Sequence, residues 1–408
     1  MEILPILSTL RRHRTAAGLI VVEIAIATAI VCNALHLIAD RIALVRSDSG
    51  LPEAELIDVE LRYTGGARDE ADVSAQDLRA IRALPGVRSA AVVNQVIYGD
   101  NSNNSDVGLA PDKSGVRVSA AQYEAGEQGL QTLGLKLLAG RDFLPEEYRA
   151  EAVVSATDQP EVPAVILDRR LADRLWPGEA APLGRIVYVY GRQPSRVVGI
   201  VQMLPHPYPG RAENEHNGGL LAPVRNTFRS GNYLVRVADP ARRDEVLRAL
   251  PHVIDTVDSS RILRAVKPLT EMRADYYAQD RSMVWLMGGV CIALLVVTAF
   301  GIVGLASFWV QQRARMIGTR RALGATRAQI RHYFQLENFL ITSVGVTIGM
   351  TLAYGGSVLL MREYELPRLP WAWLPAGAVA LWALGQLAVL GPARRAAALP
   401  PVQAMRNL

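Results

Sequence analysis

The sequence is poor in lysine, and it lacks a nucleotide-binding motif. Only three of its 44 basic residues are lysines: Lys113, Lys136 and Lys267. A phosphate-binding loop needs a glycine-rich turn that ends in a lysine, because the backbone amides and the lysine together hold the phosphates. None of these three lysines closes such a turn. Any ATP must therefore be handled by another chain.

Cysteine is equally scarce. Cys32 and Cys291 both lie within apolar runs, so neither can form a structural disulfide in the polar part of the chain. Ile30 and Val31 precede Cys32, where a lipoprotein signal would need small residues. We interpret both cysteines as buried thiols in helices.

The sequence also lacks any recognisable set of catalytic residues. His206, His216 and His252 have neither metal-ligand spacing nor a set of carboxylates beside them, and we predict that they are surface residues. Neither a nucleophile elbow nor a Cys/His pair occurs. The sequence predicts no catalytic residue, no metal site and no cofactor site.

The charge is distributed unevenly along the chain. Residues 45–283 contain 29 basic and 33 acidic residues, whereas the remainder contains 15 basic and 6 acidic ones. The net charge of +5 therefore comes from the apolar segments and their flanks, where arginine orients helices in a bilayer. We expect no nucleic-acid binding.

Four apolar runs are long enough to cross a bilayer: 16–39, 284–310, 339–360 and 374–390. The first spans about 36 Å as a helix. It is longer than the apolar region of a signal peptide and no convincing small-x-small cleavage site ends it, so we interpret it as an uncleaved anchor. Four spans place both termini on one side of the membrane.

The positions of the arginines indicate which side this is, because basic residues in short loops stay in the cytoplasm. Residues 311–334, here called the arginine-rich loop, carry six arginines and no acid. The opposite loop, 361–373, balances two arginines against two glutamates and adds interfacial Trp371 and Trp373, whereas Arg394, Arg395 and Arg406 follow the last span. The arginine-rich loop and both termini are therefore predicted to be cytoplasmic, with 45–283 on the outside of the membrane.

Residues 45–283 have the size of two compact lobes and the pattern of an α+β domain. Alternation in 56–63, a helix from an N-cap at Ser74 through Ala83, and a strand at 87–96 give a β-α-β unit. We further predict strands at 185–190, 196–201 and 233–237, helices at 168–175, 240–250 and 269–280, and exposed loops at 101–104 and 205–218.

The sequence of the arginine-rich loop predicts the end of one helix and the start of another. Ala314 to Leu323 suits a helix with Met316, Ile317 and Leu323 roughly along one face, and Gly324 can take the left-handed conformation that ends it. Thr326 with Gln329 three residues later resembles a capping box that restarts a helix into the third span. From the residues alone, a rigid elbow and a plain linker with topological arginines remain equally open.

The segment Arg321-Ala322-Leu323-Gly324-Ala325 resembles the signature of FtsX-like permeases, including the MacB and lipoprotein-releasing LolC/LolE types. The resemblance continues in residues 133–142, in the helix ending Leu175-Trp-Pro-Gly178, and in 392–396 and 401–406. It implies a protein of the bacterial inner membrane. Its parts would be a first segment, 1–44, with one transmembrane helix, a MacB-like periplasmic core domain at 45–283, and an FtsX-like membrane domain at 284–408.

The resemblance also implies partners and a mechanism. Such permeases pair as dimers on two ATPase subunits, which bind ATP and Mg²⁺, and motion passes through the arginine-rich loop to the periplasmic domain. A periplasmic adaptor and an outer-membrane channel are further candidate partners. The coupling residues would be Arg315, Met316, Ile317, Arg320, Arg321, Leu323 and Gly324.

Three features leave alternatives open. Family members often carry glutamate where this chain has Met316, which favours a heterodimer over a homodimer without excluding the latter. Glu23, inside the first span, is a candidate functional acid, but it can also snorkel or be protonated near the cytoplasmic end. Gly345 and Gly349 allow close helix packing, and we favour packing within the subunit over a dimer seam.

These observations predict the non-catalytic permease subunit of an ABC transporter that exports or extracts a substrate at the periplasmic face. One alternative is an FtsX-like transmitter that activates a periplasmic partner by the same motion. A receptor that only senses a ligand would function normally with a disrupted arginine-rich loop, and a membrane enzyme has no candidate active site.

Overall fold

The computed structural model describes residues 14–63, 69–112, 115–210, 218–364 and 369–398. Several positions named above lie outside these ranges: Lys113, His216 and 401–406. The chain divides into two compact units, Ser47–Ala278 and the residues on either side of it.

All four predicted spans are helices. They are α1 (Arg14–Val45), α8 (Ala278–Gln312), α10 (Arg327–Tyr364) and α11 (Trp373–Ala398), and between α8 and α10 lies a short helix, α9 (Ala314–Ala322). Within the described residues, these four helices alone have the length and apolarity needed to cross a bilayer. Cys32 and Cys291 are buried in α1 and α8, as predicted.

Helix α10 packs closely on α1 through the two predicted glycines. A Cβ atom at Gly345 would lie 2.8 Å from the Ile24 Cβ, and one at Gly349 would lie 2.6 Å from the Ala25 carbonyl oxygen. Both distances are shorter than van der Waals contact, so only glycine allows this approach. The glycine pair therefore packs within the subunit, which agrees with the favoured interpretation.

We expect Gly349→Ala to destabilise the helical bundle by about 1–3 kcal/mol, because its methyl group must displace the α1 backbone. The control is Gly356→Ala in the same helix, whose Cβ meets nothing within 4 Å. Both substitutions gain about 1 kcal/mol of helix propensity. The measurement is the SDS fraction at which helical circular dichroism is lost, and equal values for the two variants would contradict the prediction.

The inserted domain, Ser47–Ala278, is a mixed α+β fold. Its helices are α2 (Glu70–Arg82), α3 (Gly129–Leu133), α4 (Glu151–Ser155), α5 (Arg169–Leu175), α6 (Arg243–Val257) and α7 (Leu269–Tyr276). Its strands are β1 (Leu56–Tyr63), β2 (Val87–Val93), β3 (Asn104–Gly108), β4 (Arg117–Ala125), β5 (Leu137–Gly140), β6 (Arg149–Ala150), β7 (Ala164–Asp168), β8 (Ile186–Val187), β9 (Ser195–Val201), β10 (Gly219–Arg225), β11 (Asn232–Val237) and β12 (Arg261–Pro268).

Nine of these strands form one path, in the order β12-β1-β11-β2-β4-β10-β7-β9-β5, and β3, β6 and β8 pair beside it with β4, β10 and β9. Strands β12, β1, β11 and β2 pair antiparallel, whereas β4 pairs parallel with β10 and β7 pairs parallel with β9. Strand β2 meets β4 through a single residue pair, Val93 with Ala125. The sheet is therefore nearly divided at this point.

Each half of the sheet has its own core, which gives the two predicted lobes. The first core contains Ile57, Val59, Ile81, Tyr233 and Leu250, from β1, β11 and helices α2 and α6. The second contains apolar residues of β3, β4, β7, β9 and β10 beneath α5. In each half, every second strand residue points to the same face of the sheet, and the helices pack against that face.

Buried polar side chains join the lobes where β2 meets β4. The Asn94 amide donates to the Gln122 carbonyl at 3.0 Å, and its oxygen accepts from the Glu124 backbone at 2.9 Å. Tyr190 donates its hydroxyl to the Glu124 carboxylate at 2.8 Å. Burial raises the pKa of Glu124, and the hydrogen bonds from Tyr190 and Gln122 oppose that shift. These bonds satisfy polar groups that water cannot reach.

A second buried network holds the first lobe. Asp77 in α2 pairs with Arg261 in β12, and both side chains are 0% exposed. Arg261 Nη2 donates to Asp77 Oδ1 at 2.8 Å, and Tyr233 donates its hydroxyl to the same carboxylate. The guanidinium lies 5.1 Å from the centre of the Phe228 ring. This network ties together a helix and two strands that are distant in sequence.

Some local predictions were wrong. Helix α2 begins at an N-cap on Asp69, which accepts from two backbone amides, whereas Ser74 lies inside the helix and donates to the Glu70 carbonyl. Helix α6 continues to Val257 through Pro251, beyond its predicted end at 250. The strand predicted at 185–190 is reduced to Ile186–Val187.

Of the loop predicted to be exposed at 205–218, residues 211–217 lie outside the described ranges, and the residues before them differ from the prediction. Pro205, His206 and Pro207 are buried. The Nε2 of His206 lies 2.9 Å from the Asn104 side-chain oxygen, and its Nδ1 accepts from the Tyr208 backbone. His206 is thus a buried hydrogen-bonding residue, whereas His252 is exposed, as predicted.

Candidate coupling site

The arginine-rich loop forms two helix caps placed back to back. Helix α9 ends in a Schellman motif: Gly324, with φ of 95°, donates to the Arg321 carbonyl at 3.1 Å, and Ala325 donates to the Arg320 carbonyl at 3.0 Å. The segment Arg321 to Ala325 is therefore a helix stop, and its glycine occupies the left-handed position that the sequence predicts.

The predicted capping box follows immediately. The Thr326 backbone donates to the Gln329 side-chain oxygen at 2.8 Å, and the Gln329 backbone donates to the Thr326 hydroxyl at 3.3 Å. Helix α10 then begins at Arg327 and continues through the third span. The two caps fix a sharp turn, so the loop is a rigid elbow rather than a plain linker.

The faces of α9 differ from the prediction. Leu323 is 84% exposed and Met316 is 37% exposed, but Ile317 is only 2% exposed and belongs to the core of the helical bundle. Met316 and Leu323 lie seven residues apart, close to two helical turns, whereas Ile317 lies about 100° away. The prediction that all three share one face was therefore wrong for Ile317.

The arginines of α9 separate in the same way. Arg315 is exposed on the side of Met316. Arg320 lies 5.0 Å from the centre of the Tyr333 ring in α10, and Arg321 donates to the Ala397 carbonyl in the last turn of α11 at 3.2 Å. Arg320 and Arg321 thus attach α9 to two spans, which leaves Arg315, Met316 and Leu323 facing outward.

Sequence reasoning missed the strongest contact of this site. Arg313, at the break between α8 and α9, donates through Nη1 to both Glu337 oxygens, at 2.7 and 2.8 Å. The two side chains are 9% and 2% exposed. Arg313 also lies 5.5 Å from the centre of the Trp309 ring. The signal in the sequence was Glu337, a lone acidic residue just before the third apolar run, which needs a cationic partner if it is buried.

Glu23 lies elsewhere in the bundle. Its carboxylate contacts α8 at Gly301, where a Cβ atom would be 2.6 Å from Glu23 Oε2. It forms no ion pair with a described residue. Gly301 therefore makes room for an acid between α1 and α8, away from the polar contacts that hold the elbow.

The described residues contain no cluster of three or more side chains that could hold a metal ion. Lys136 precedes β5, and Lys267 in β12 pairs with Asp275. The elbow itself offers an apolar and cationic surface without a nucleophile. Its geometry is suited to binding another protein.

Two family models together cover most of the chain. The model for the MacB-like periplasmic core domain matches residues 18–253, more than half of the chain, and the model for the FtsX-like permease C-terminal matches residues 288–401.

Relatives of this chain are similar at low identity. The uncharacterized ABC transporter permease YknZ of Bacillus subtilis is 22% identical over 368 residues, which cover 86% of this chain and 83% of that protein. The macrolide export ATP-binding/permease protein MacB of Agrobacterium fabrum is 25% identical over 350 residues, which cover 81% of this chain and 50% of that protein. The chain thus spans about half the length of that relative.

Among solved structures, the periplasmic region of MacB from Actinobacillus actinomycetemcomitans aligns with 57% of this chain and 96% of its own, at 15% identity and a TM-score of 0.35. The family assignment depends on the sequence matches. The chain therefore belongs to the MacB/FtsX-like family of ABC transporter permeases.

Proposed function

We propose that a separate ATPase subunit docks on the outward face of α9 and that ATP hydrolysis there moves the elbow and, through it, the extracytoplasmic domain. The observation that carries this proposal is the exposure of Leu323. A large apolar side chain that is 84% exposed ends a helix whose other face is fixed to α10 and α11. Such a residue suits insertion into a pocket of a partner protein.

The rigidity of the elbow supports the mechanical part. Two backbone caps and a buried ion pair join α8, α9 and α10, so a displacement of α9 cannot be absorbed by a flexible linker. Arg313 and Glu337 link the break after α8 to α10. Ile317, Arg320 and Arg321 act as anchors, whereas Arg315, Met316 and Leu323 form the docking contact.

In this proposal the chain is an inner-membrane subunit with cytoplasmic termini, and it pairs with a second permease to receive two ATPase subunits that bind ATP and Mg²⁺. Substrate is moved at the periplasmic face, where an adaptor and an outer-membrane channel are the further partners. Met316, at the position where relatives often carry an acid, favours a non-identical second permease.

We expect Leu323→Asp to reduce the ATPase activity that co-purifies with the tagged chain by about tenfold or more, because a charged group must be desolvated at the contact. The measurement is ATP hydrolysis after mild extraction from native membranes. The control is Leu138→Asp, since Leu138 is 54% exposed on β5 in the other unit.

Equal activity in both variants would place the docking contact elsewhere. A wild-type chain that brings down no ATPase would contradict the coupled permease itself and would favour the receptor alternative.

A further inference from the structure

The first lobe has a cleft on the sheet face opposite its core. Ile57 and Val59 of β1 point into that core, so strand alternation directs Asp58 and Glu60 to the other face. There they line a cleft of about 830 Å³, here called the Asp58 cleft, which the loop after β2 and helix α7 also enclose. This volume lies in the range of small-molecule sites.

Most other charges around the cleft are paired; Arg62, which also lines the cleft, is exposed and forms no ion pair with a described residue. Ion pairs join Arg264 to Glu60, Lys267 to Asp275 and Arg229 to Glu70, the last two at 2.7 and 2.9 Å. These pairs leave their members largely neutralised. The walls of the cleft therefore present little net charge to a ligand.

Asp58 differs from these residues. It is 4% exposed, and each of its carboxylate oxygens accepts from the Asn232 amide nitrogen at 3.0 Å. No described cation lies within ion-pair distance of it. Burial raises the pKa of Asp58 to about 7, and the hydrogen bond from Asn232 opposes that shift. One amide donor compensates an ionised buried carboxylate poorly, because both oxygens have further acceptor sites.

We propose that the Asp58 cleft binds an organic cation whose ammonium group pairs with Asp58. The ammonium group supplies the charge and the hydrogen-bond donors that the protein leaves out. A metal ion is disfavoured, because Asp58 has no second ligating side chain free beside it and the described residues contain no metal-ligating cluster.

The aromatic side chains of the cleft favour an organic ligand. Tyr98 and Tyr276 both line it, with ring centres 5.4 Å apart. Aromatic faces attract ammonium groups and cover apolar surface. Tyr276 and Met272 belong to α7, which is followed after Tyr277 by the span α8. A ligand in the cleft would thus contact the helix that leads into the membrane.

The proposal goes beyond ATP coupling and is tested without an ATPase. The full chain is placed in lipid nanodiscs and titrated with dansylcadaverine, which joins a primary ammonium to an aromatic body, and separately with its uncharged N-butyl dansylamide analogue. The readout is fluorescence anisotropy. We expect saturable binding of the cation, about tenfold or more weaker in Asp58→Asn, and no effect of that substitution on the analogue.

Asp100→Asn is the matched control, since it removes the same charge from a side chain that is 88% exposed at the edge of the cleft. It should change affinity by less than about threefold. If circular dichroism shows that Asp58→Asn does not fold, Met272→Arg becomes the decisive variant. It places a cation on the α7 wall of the cleft and should weaken binding of the cationic probe by a similar factor. Wild-type affinity in the decisive variant, equal binding of the analogue, or no saturable binding by wild type would overturn the proposal.

Discussion

Replacing Asp77 with alanine should destabilise the extracytoplasmic domain by about 3–5 kcal/mol, because the substitution leaves Arg261 buried without a counter-charge. Both side chains are 0% exposed, so water cannot replace the lost carboxylate. The Tyr233 hydroxyl loses its acceptor as well. The measurement is pulse proteolysis of the full chain in urea, following the fragment that corresponds to residues 47–278.

The control for this prediction lies in the same helix. Asp72 is exposed in the first turn of α2, and Asp72→Ala should cost less than about 1 kcal/mol through the helix dipole. A double variant, Asp77→Leu with Arg261→Met, should recover much of the lost stability, since an apolar pair can replace a buried ion pair. Equal urea midpoints for Asp77→Ala and Asp72→Ala would show that the pair contributes no stability.

Replacing Glu337 with alanine should have an effect of similar size on the helical bundle, about 3–5 kcal/mol. Arg313 donates to both Glu337 oxygens, and its side chain is only 9% exposed. The free charge would lie against Trp309, within the core that contains Ile317. Loss of helical circular dichroism during SDS titration measures the change.

Two further variants separate charge from shape at this site. Glu337→Gln keeps a side-chain acceptor and should cost less than Glu337→Ala. Arg313→Met combined with Glu337→Leu should restore stability. Because it also removes the hydrogen bonds between Arg313 and Glu337, we expect its co-purified ATPase activity to be lower than that of the wild type. If Glu337→Ala unfolds at the wild-type SDS fraction, the ion pair is not a structural link between α8 and α10.

Features encoded within a few residues were predictable. The four spans follow from uninterrupted apolar runs, and the Gly324 stop and the Thr326–Gln329 box follow from residues that contact one another along the chain. The prediction at Ser74 was wrong because Asp69 caps the same helix five residues earlier, and two adjacent cap signals cannot be ranked without tertiary contacts.

Strands buried on both faces were harder to predict. Strand β10 contains Pro223 yet lies between β4 and β7, and β7 is apolar from Ala164 to Leu167. Neither strand therefore shows the alternation of a half-buried strand.

Sites formed by residues that are distant along the chain could not be predicted from the sequence. Arg313 and Glu337 are 24 residues apart, and Asp58 and Asn232 are 174 apart. Ile317 was assigned to the wrong face because a helical pattern gives the spacing of side chains but not which stripe meets the core. Only the fold supplies that choice.

The glycine crossing divides α10 into two halves of similar length. The helix has 38 residues and is about 57 Å long, and it meets α1 at Gly345 and Gly349, close to its midpoint. A rigid rod that tilts about a central fulcrum moves its two ends by similar amounts in opposite directions. If α10 tilted about this crossing, Arg327 and the far end of the helix would move in opposite directions.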